Sequence, residues 1–258
     1  MIMEQPLDGR RAIVTGASRG IGRAIAEQLS RAGAAVALIA RSGDDLEQVA
    51  TAIRTGGGTA VPIVADLGHD DPAAVARQAS DQLGGVDIVI NNAAVLEPLG
   101  RSGPDIDPLV WRQSLEINVT APAMISFALL PQLLAAGWGR IVNISSGVAA
   151  HPGAMVNGNA YVTAKAAIEG HTLNLAAELD GTGVTANVYR PGTVDTAMQR
   201  LLRTQDPDKV GAFLPERFNR LYERGGLIPA QDSALSLVRR LPDPGNGQIL
   251  SVSDPVPR

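Results

Sequence analysis

The chain has 258 residues, 45% of them apolar, a net charge of −4 and no cysteine. That length and apolar share suffice for one large α/β domain with a sizeable core, and no Pro-, Ser- or charge-rich linker divides it. The mildly acidic balance without a basic cluster argues against nucleic acid or an anionic membrane as partner, and the absent cysteines exclude disulfides, thiol catalysis and thiolate-bound metal. The histidines, His69, His151 and His171, are scattered, so no metal site is expected. The remaining partners are small molecules and further copies of the chain, as a homodimer or homotetramer.

Met1 to Arg11 is polar and charged where a secretory signal has an apolar run, which points to a cytoplasmic protein. From Arg11 onward, short β-branched runs alternate with helix-period segments, the order of a parallel sheet with crossover helices. Strands are expected at 11–15, 35–40, 59–64 and 87–91, with helices at 20–32, 44–55 and 71–83 between them. Ile88-Val89-Ile90 is apolar without alternation, which implies burial on both faces. A loop over 94–107 leads into a long helical region. Its apolar stretch Ala121 to Gly139 approaches membrane-spanning length, but Ser126, Gln132, Pro122 and Pro131 make it a buried helix. A strand at 140–145, a helix at 160–179, a strand at 185–189, a helix at 230–241 and a strand at 248–252 complete the pattern. The expected fold is a doubly wound, Rossmann-type parallel sheet of about seven strands with helices on both faces, a single domain over 1–258. The segment 193–226 breaks the alternation, with Phe213, Phe218 and Tyr222 in a charged, helix-compatible stretch. It is either a substrate lid or a packing surface for a neighbouring subunit, and the lid is the reading adopted.

Between the first strand and the first helix stands Thr15-Gly16-Ala17-Ser18-Arg19-Gly20-Ile21-Gly22. Three glycines are ordinary turn chemistry, but after a buried first strand they also let backbone amides at a helix N-terminus cradle a pyrophosphate. An acidic residue is expected at the end of the second strand where adenosine ribose hydroxyls are bound; Ala40 and Arg41 stand there instead. An uncharged residue leaves room for a 2′-phosphate, which Arg41 and Arg19 receive, so NADP(H) is preferred over NAD(H). Asp66, before Leu67, ends the third strand and either accepts from the adenine amino group or caps a turn. Asn91-Asn92-Ala93-Ala94 ends the fourth strand, where small residues admit a ribose or simply form a turn.

Only two lysines occur, and Lys165 follows Tyr161 by four positions, on one face of a helix. A nearby ammonium favours the phenolate, which brings a phenol toward working range for proton transfer. Pro122 lacks an N–H, so the carbonyl of Asn118 loses its helical partner and is free to hold a water. A bent helix is expected there.

In this order and spacing, the glycine loop, Asp66, Asn91 to Ala94, Asn118, Ile144-Ser145-Ser146, Tyr161 with Lys165, and Asn187 to Thr196 with Pro191-Gly192 resemble the short-chain dehydrogenase/reductase family over nearly the whole chain. The resemblance implies that Tyr161 is the general acid/base and that Lys165 holds the nicotinamide ribose. It implies further that Ser146 stabilises the oxyanion, with Ser145 bonding locally, and that Asn118 is the fourth catalytic member. The family's cofactor contacts fall on Gly16, Ser18, Arg19, Gly20, Ile21 and Gly22, then on Arg41, Asp66, Leu67, Asn92, Ala93 and Ala94. Pro191, Gly192, Val194 and Thr196 fall under the nicotinamide, beside Tyr161 and Lys165. The implied activity is that of an NADP-dependent oxidoreductase, a carbonyl reductase interconverting a ketone or aldehyde and an alcohol. The alternatives are a β-ketoacyl thioester reductase and a non-catalytic NADP-sensing or scaffold protein. Departures are Ala94 where the family usually has Gly, a Ser146 to Tyr161 spacing longer than usual over Gly153 to Asn159, and a C-terminus without the family's Asp-Gly-Gly.

Overall fold

The computed structural model describes residues 5–100, 103–210 and 213–256. Parts of three expected segments therefore lie outside the described residues: 1–4 of the N-terminal stretch, 101–102 of the loop after the fourth strand, and 211–212 of the presumed cover.

Seven strands form one parallel sheet: β1 (Arg11–Thr15), β2 (Ala35–Ala40), β3 (Ala60–Val64), β4 (Ile88–Asn91), β5 (Gly139–Ile144), β6 (Val184–Arg190) and β7 (Ile249–Ser251). Their spatial order is β3-β2-β1-β4-β5-β6-β7, so the winding reverses between β1 and β4, the place where such sheets open a crevice at their carboxyl ends. Along β1, Ala12 and Val14 face one core while Ile13 faces the other, the two-residue alternation of a strand covered on both sides. Helices α1 (Gly20–Arg31), α2 (Gly43–Thr55) and α10 (Ala230–Val238) fill the first layer. Helices α3 (Pro72–Leu83), α5 (Ala121–Ala136) and α6 (Asn159–Glu178) fill the second.

Local sequence sets the helix ends. Asp71 and Asp107 accept from the N–H groups of Ala73 and Leu109, each followed by a proline at the first helical position, in α3 and α4 (Pro108–Leu115). Such caps and prolines satisfy or remove amides that a helix start leaves bare. Gly84 and Gly137 close α3 and α5 in the left-handed conformation, as helix-ending glycines do. At the amino ends of the strands Asp87 holds Arg11, with Arg11 Nε 2.8 Å from its carboxylate. There Trp138 also meets the guanidinium groups of Arg10 and Arg140, 3.7 and 4.4 Å from its ring centre.

Pro108–Ala136, α4 and α5 joined by residues 116–120, is long and apolar enough to cross a membrane by length and composition. In the fold Ala121, Ile125, Leu129 and Leu133 belong to the core under the sheet, and Phe127 and Leu134 are exposed. The 193–226 segment forms three short helices, α7 (Ala197–Arg203), α8 (Pro207–Val210) and α9 (Phe213–Glu223). α7 and α9 pack on each other, and Arg203 lies 3.9 Å from the ring centre of Tyr222.

Candidate active site

A cleft of about 890 Å³ opens at the carboxyl ends of the strands, running from the glycine loop past β4 to Tyr161, Lys165 and α7. At its nucleotide end the backbone is shaped by glycine. Gly16 has φ +65°, a conformation costly for other residues, and a Cβ on Gly22 would strike the Gly16 carbonyl and the Asn92 side chain. Asn92 fixes that loop: its Nδ2 donates to the Thr15 carbonyl at 2.9 Å, and its own N–H donates to Thr15 Oγ1 at 2.9 Å. The α1 N-terminus carries no side-chain cap and no acidic residue in its first turn. Bare amides and close-packed glycines fit a pyrophosphate there.

Arg19, Arg41, Asp66 and Leu67 line the same end. Asp66 caps a turn, the second of the two roles weighed for it. Its Oδ1 accepts from the Gly68 N–H at 3.0 Å, while Oδ2 lies 3.2 Å from His69 and 4.0 Å from Arg41. These contacts, led by the Gly68 hydrogen bond, hold its carboxyl below the usual range. Arg41 remains two-thirds exposed at its side chain, open to a ligand phosphate. Ser42 and Asp45, unmarked in the sequence reading, also reach the wall.

At the chemical end α6 carries Tyr161 and Lys165 inward, both nearly buried. Lys165 Nζ donates to the Ile144 carbonyl at 2.7 Å and lies 5.5 Å from the centre of the Tyr161 ring. Burial pushes the ammonium down to about 8, opposed by the charge of Glu169. Burial likewise pushes the phenol up to about 12, against a hydrogen bond with Ser146 that lowers it. The expectation that Lys165 draws the phenol down is thus reversed in this structure. Desolvation outweighs an ammonium that is turned toward a carbonyl.

Ser146 also accepts from the Val148 N–H at 3.4 Å. Ser145 does not bond locally as expected; its hydroxyl donates to Glu169 Oε1 at 2.6 Å, across to α6. Asn118 sits in a π-helical turn, Glu116–Thr120, where the Ala121 N–H donates to Glu116 rather than to Ile117. Pro122 cannot close the regular bond to Asn118, which accounts for the break. The Asn118 carboxamide is fully engaged: Oδ1 accepts from the Val95 N–H at 3.0 Å, and Nδ2 donates to the Val95 carbonyl at 2.9 Å and to Ser114 at 3.1 Å.

Pro191 and Thr196 reach the cleft. Thr196 caps α7 by accepting from the Gln199 N–H at 3.3 Å, and Val194 is buried in a bridge to Ile228. Asn118, Ser146, Gly192 and Val194 are not on the cleft wall, whereas Gly16, Ser18, Gly20, Ile21, Ala93 and Ala94 are. The sequence reading missed Glu97, Val110, Gln113 and Leu201, which complete the wall. A polar loop and a weakly amphipathic helix gave no signal for them. Above Tyr161 an apolar cluster joins Leu96 and Met155 to Leu202, Val210 and Leu214. The longer stretch before Tyr161 forms a turn, Pro152–Met155. Arg217 donates to the Ala154 carbonyl at 2.7 Å and Asn157 Nδ2 to the Val210 carbonyl at 3.3 Å, tying this turn to the 193–226 segment.

The family of short chain dehydrogenases matches over residues 10–207. The chain belongs to the short-chain dehydrogenase/reductase family. It is 40% identical over 195 residues to a short chain dehydrogenase of Pseudocercospora fijiensis, covering 74% of this chain and 62% of that protein. It is 38% identical over 201 residues to a 3-oxoacyl-(acyl-carrier-protein) reductase of Pseudomonas aeruginosa, covering 76% and 78% of the two chains. In fold it is similar to a putative NAD(P)-dependent gluconate 5-dehydrogenase from Beutenbergia cavernae with bound NADP. The TM-score is 0.83, with 35% identity and coverage of 95% and 96%. The chain is accordingly an oxidoreductase of this family.

Lys165 gives a stability test with a defined sign. Its value falls from 10.5 to about 8 on folding, so between those limits the folded chain holds fewer protons than the unfolded one and stability from this group rises with pH. Urea unfolding of wild type and Lys165→Met should show wild type gaining on the variant between about pH 8 and about pH 10.5. A pH-independent difference would contradict the burial of the ammonium.

Proposed function

We propose that this family member is an NADP(H)-dependent carbonyl reductase of the cytoplasm, interconverting a ketone or aldehyde and an alcohol. One observation carries the reading: a buried phenol, beside Ser146 and one helical turn from the Lys165 ammonium, lies on the wall of a cleft whose other end is a glycine cradle. NADP(H) held by the glycine loop, Arg19 and Arg41 would supply the hydride for reduction of a carbonyl carbon, or take it up from an alcohol. Tyr161 donates its proton to the substrate oxygen, and a phenol held protonated by burial suits that acid role in reduction. Ser146 holds the same oxygen while charge develops on it. Lys165, whose ammonium lies 2.7 Å from the Ile144 carbonyl, would hold the nicotinamide ribose and steady the phenolate left behind. Asn118, fixed through Val95, presents its main-chain carbonyl to a water that relays protons from solvent to Lys165. Pro191, Gly192, Val194 and Thr196 back the nicotinamide, and the 193–226 segment acts as the lid of a largely apolar substrate pocket. The exposed Phe127 and Leu134 on α5 and Leu173 on α6 support a homodimer or homotetramer built on these helices.

Tyr161→Phe tests the enzyme reading against a cofactor-sensing role. Turnover of NADPH across a panel of ketones and aldehydes should fall about 10²–10⁴-fold, while NADPH binding and melting temperature stay near wild type. Unchanged turnover would sink the assignment.

Cofactor choice rests on Arg41 and Arg19, beside the end of β2 where Ala40 stands in place of an acid. Loss of one charge-assisted contact to the 2′-phosphate costs about 1.5–3 kcal/mol. Arg41→Ala should therefore lower kcat/KM with NADPH by about tenfold or more and leave that with NADH nearly unchanged.

Kinship with a 3-oxoacyl reductase favours a second reading, reduction of a β-ketoacyl thioester. Against it, a recess of about 480 Å³ beside the cleft bears Glu97 and Asp107 and no cation among its described residues, a poor match for an acidic carrier. Comparing acetoacetyl-coenzyme A with ethyl acetoacetate decides between them: a much higher kcat/KM for the thioester would favour the second reading.

A further inference from the structure

Glu169 follows Lys165 by one helical turn, so α6 presents Tyr161, Lys165 and Glu169 along one face. An acidic side chain in a protein interior is rare unless it is paired. Glu169 is 8% exposed and is paired from two strands. Arg190, the last residue of β6, donates Nε to Oε1 at 2.8 Å and Nη2 to Oε2 at 2.7 Å. Ser145, just past the end of β5, donates its hydroxyl to Oε1 at 2.6 Å. Its backbone N–H donates to the Tyr189 carbonyl at 2.8 Å. The residues that follow these two anchors are Ser146 beyond β5 and Pro191-Gly192 beyond β6.

We propose, resting on the function given above, that Glu169 is a positioning residue: its carboxylate locks the segments bearing Ser146, Lys165 and Pro191-Gly192 into one frame. The forked Arg190 contact fixes the angle of the β6 end, and the Ser145 contact fixes the β5 end, so neither segment shifts independently of the helix that carries the phenol. The carboxylate also faces Lys165 and favours its charged form. The other charged or titratable groups around that ammonium are Tyr161 on α6 and Arg190 on β6. Arg112 and Glu116, before and within the π turn, and His151, after β5, are solvent-exposed.

The presence of only two lysines, Lys165 and Lys209, makes the test direct. Lysine labelled with ¹³C at Cε gives two signals, and Lys209→Arg assigns the one that belongs to Lys165. In Glu169→Gln the Lys165 midpoint should drop by about one pH unit or more. Its kcat for reduction of ethyl acetoacetate by NADPH should drop by about ten- to a hundredfold, with KM for NADPH little changed. Glu169→Asp keeps the charge but withdraws it by a methylene, and should restore the midpoint but only part of kcat. Ser145→Ala keeps both charges and should lower kcat without moving the midpoint. A folded Glu169→Gln protein with either an unmoved midpoint or wild-type kcat overturns the proposal. Should that variant not fold, wild-type kcat in both Glu169→Asp and Ser145→Ala overturns it. If the wild-type chain reduces no carbonyl probe, the carbonyl-reductase reading fails by itself, and the midpoint in Glu169→Gln then decides the coupling of Glu169 to Lys165.

Discussion

Desolvating an ammonium is costly, and Lys165 bears that cost at the carboxyl ends of the central strands. The fold offsets it with the Ile144 carbonyl at 2.7 Å and with the negative charge of Glu169 one turn away. Both partners require α6 to lie tightly against β5 and β6, which in turn requires a parallel sheet whose strand ends arrive together. The placement of the phenol, the Ser146 hydroxyl and the backbone under the proposed nicotinamide site all follow from that seating. A helix displaced by a few tenths of an ångström would weaken the hydrogen bonds and leave a buried charge undercompensated.

The two ends of the cleft solve different problems. At the nucleotide end the structure is made of backbone: positive-φ glycine, a helix start without a side-chain cap, and an Asn92 side chain that bonds only to main chain. Such a surface has little freedom to vary, because a single added methyl group meets a carbonyl. At the substrate end the walls are side chains from a loop, from α4 and from α7. Those are packed by apolar contact, which tolerates exchange of one hydrophobic residue for another far better than a buried hydrogen-bond network does.

This division also explains how much could be read before the structure was known. Strand β2 is an unbroken apolar run, β1 and β4 hold one at Ala12–Val14 and Ile88–Ile90, and the glycine loop and the Tyr161-Lys165 pair are set by short spacings along the chain. Each was therefore legible as local pattern. The effect of Pro122 on Asn118 was legible for the same reason, since the lost bond spans only one helical turn. The partner of Ser145 lies 24 residues away, and no local rule selects Glu169 as its acceptor. The direction in which the phenol shifts depends on how completely Tyr161 is enclosed, a property of Leu96, Met155, Leu202 and Leu214 converging from four places in the chain. Glu169 itself carried a faint signal, an acid four residues beyond a buried lysine, but such spacing is commonest on solvated helix faces.

The turn at Pro152–Met155 lies between Ser146 and Tyr161. It reaches over Tyr161 through Met155 and grips the α7–α9 segment through Ala154 and Asn157. A change in length at this point would therefore shift the cover over Tyr161 and its hold on α7–α9, while Ser146, Tyr161 and the glycine loop keep their places beyond β5, on α6 and at the start of α1.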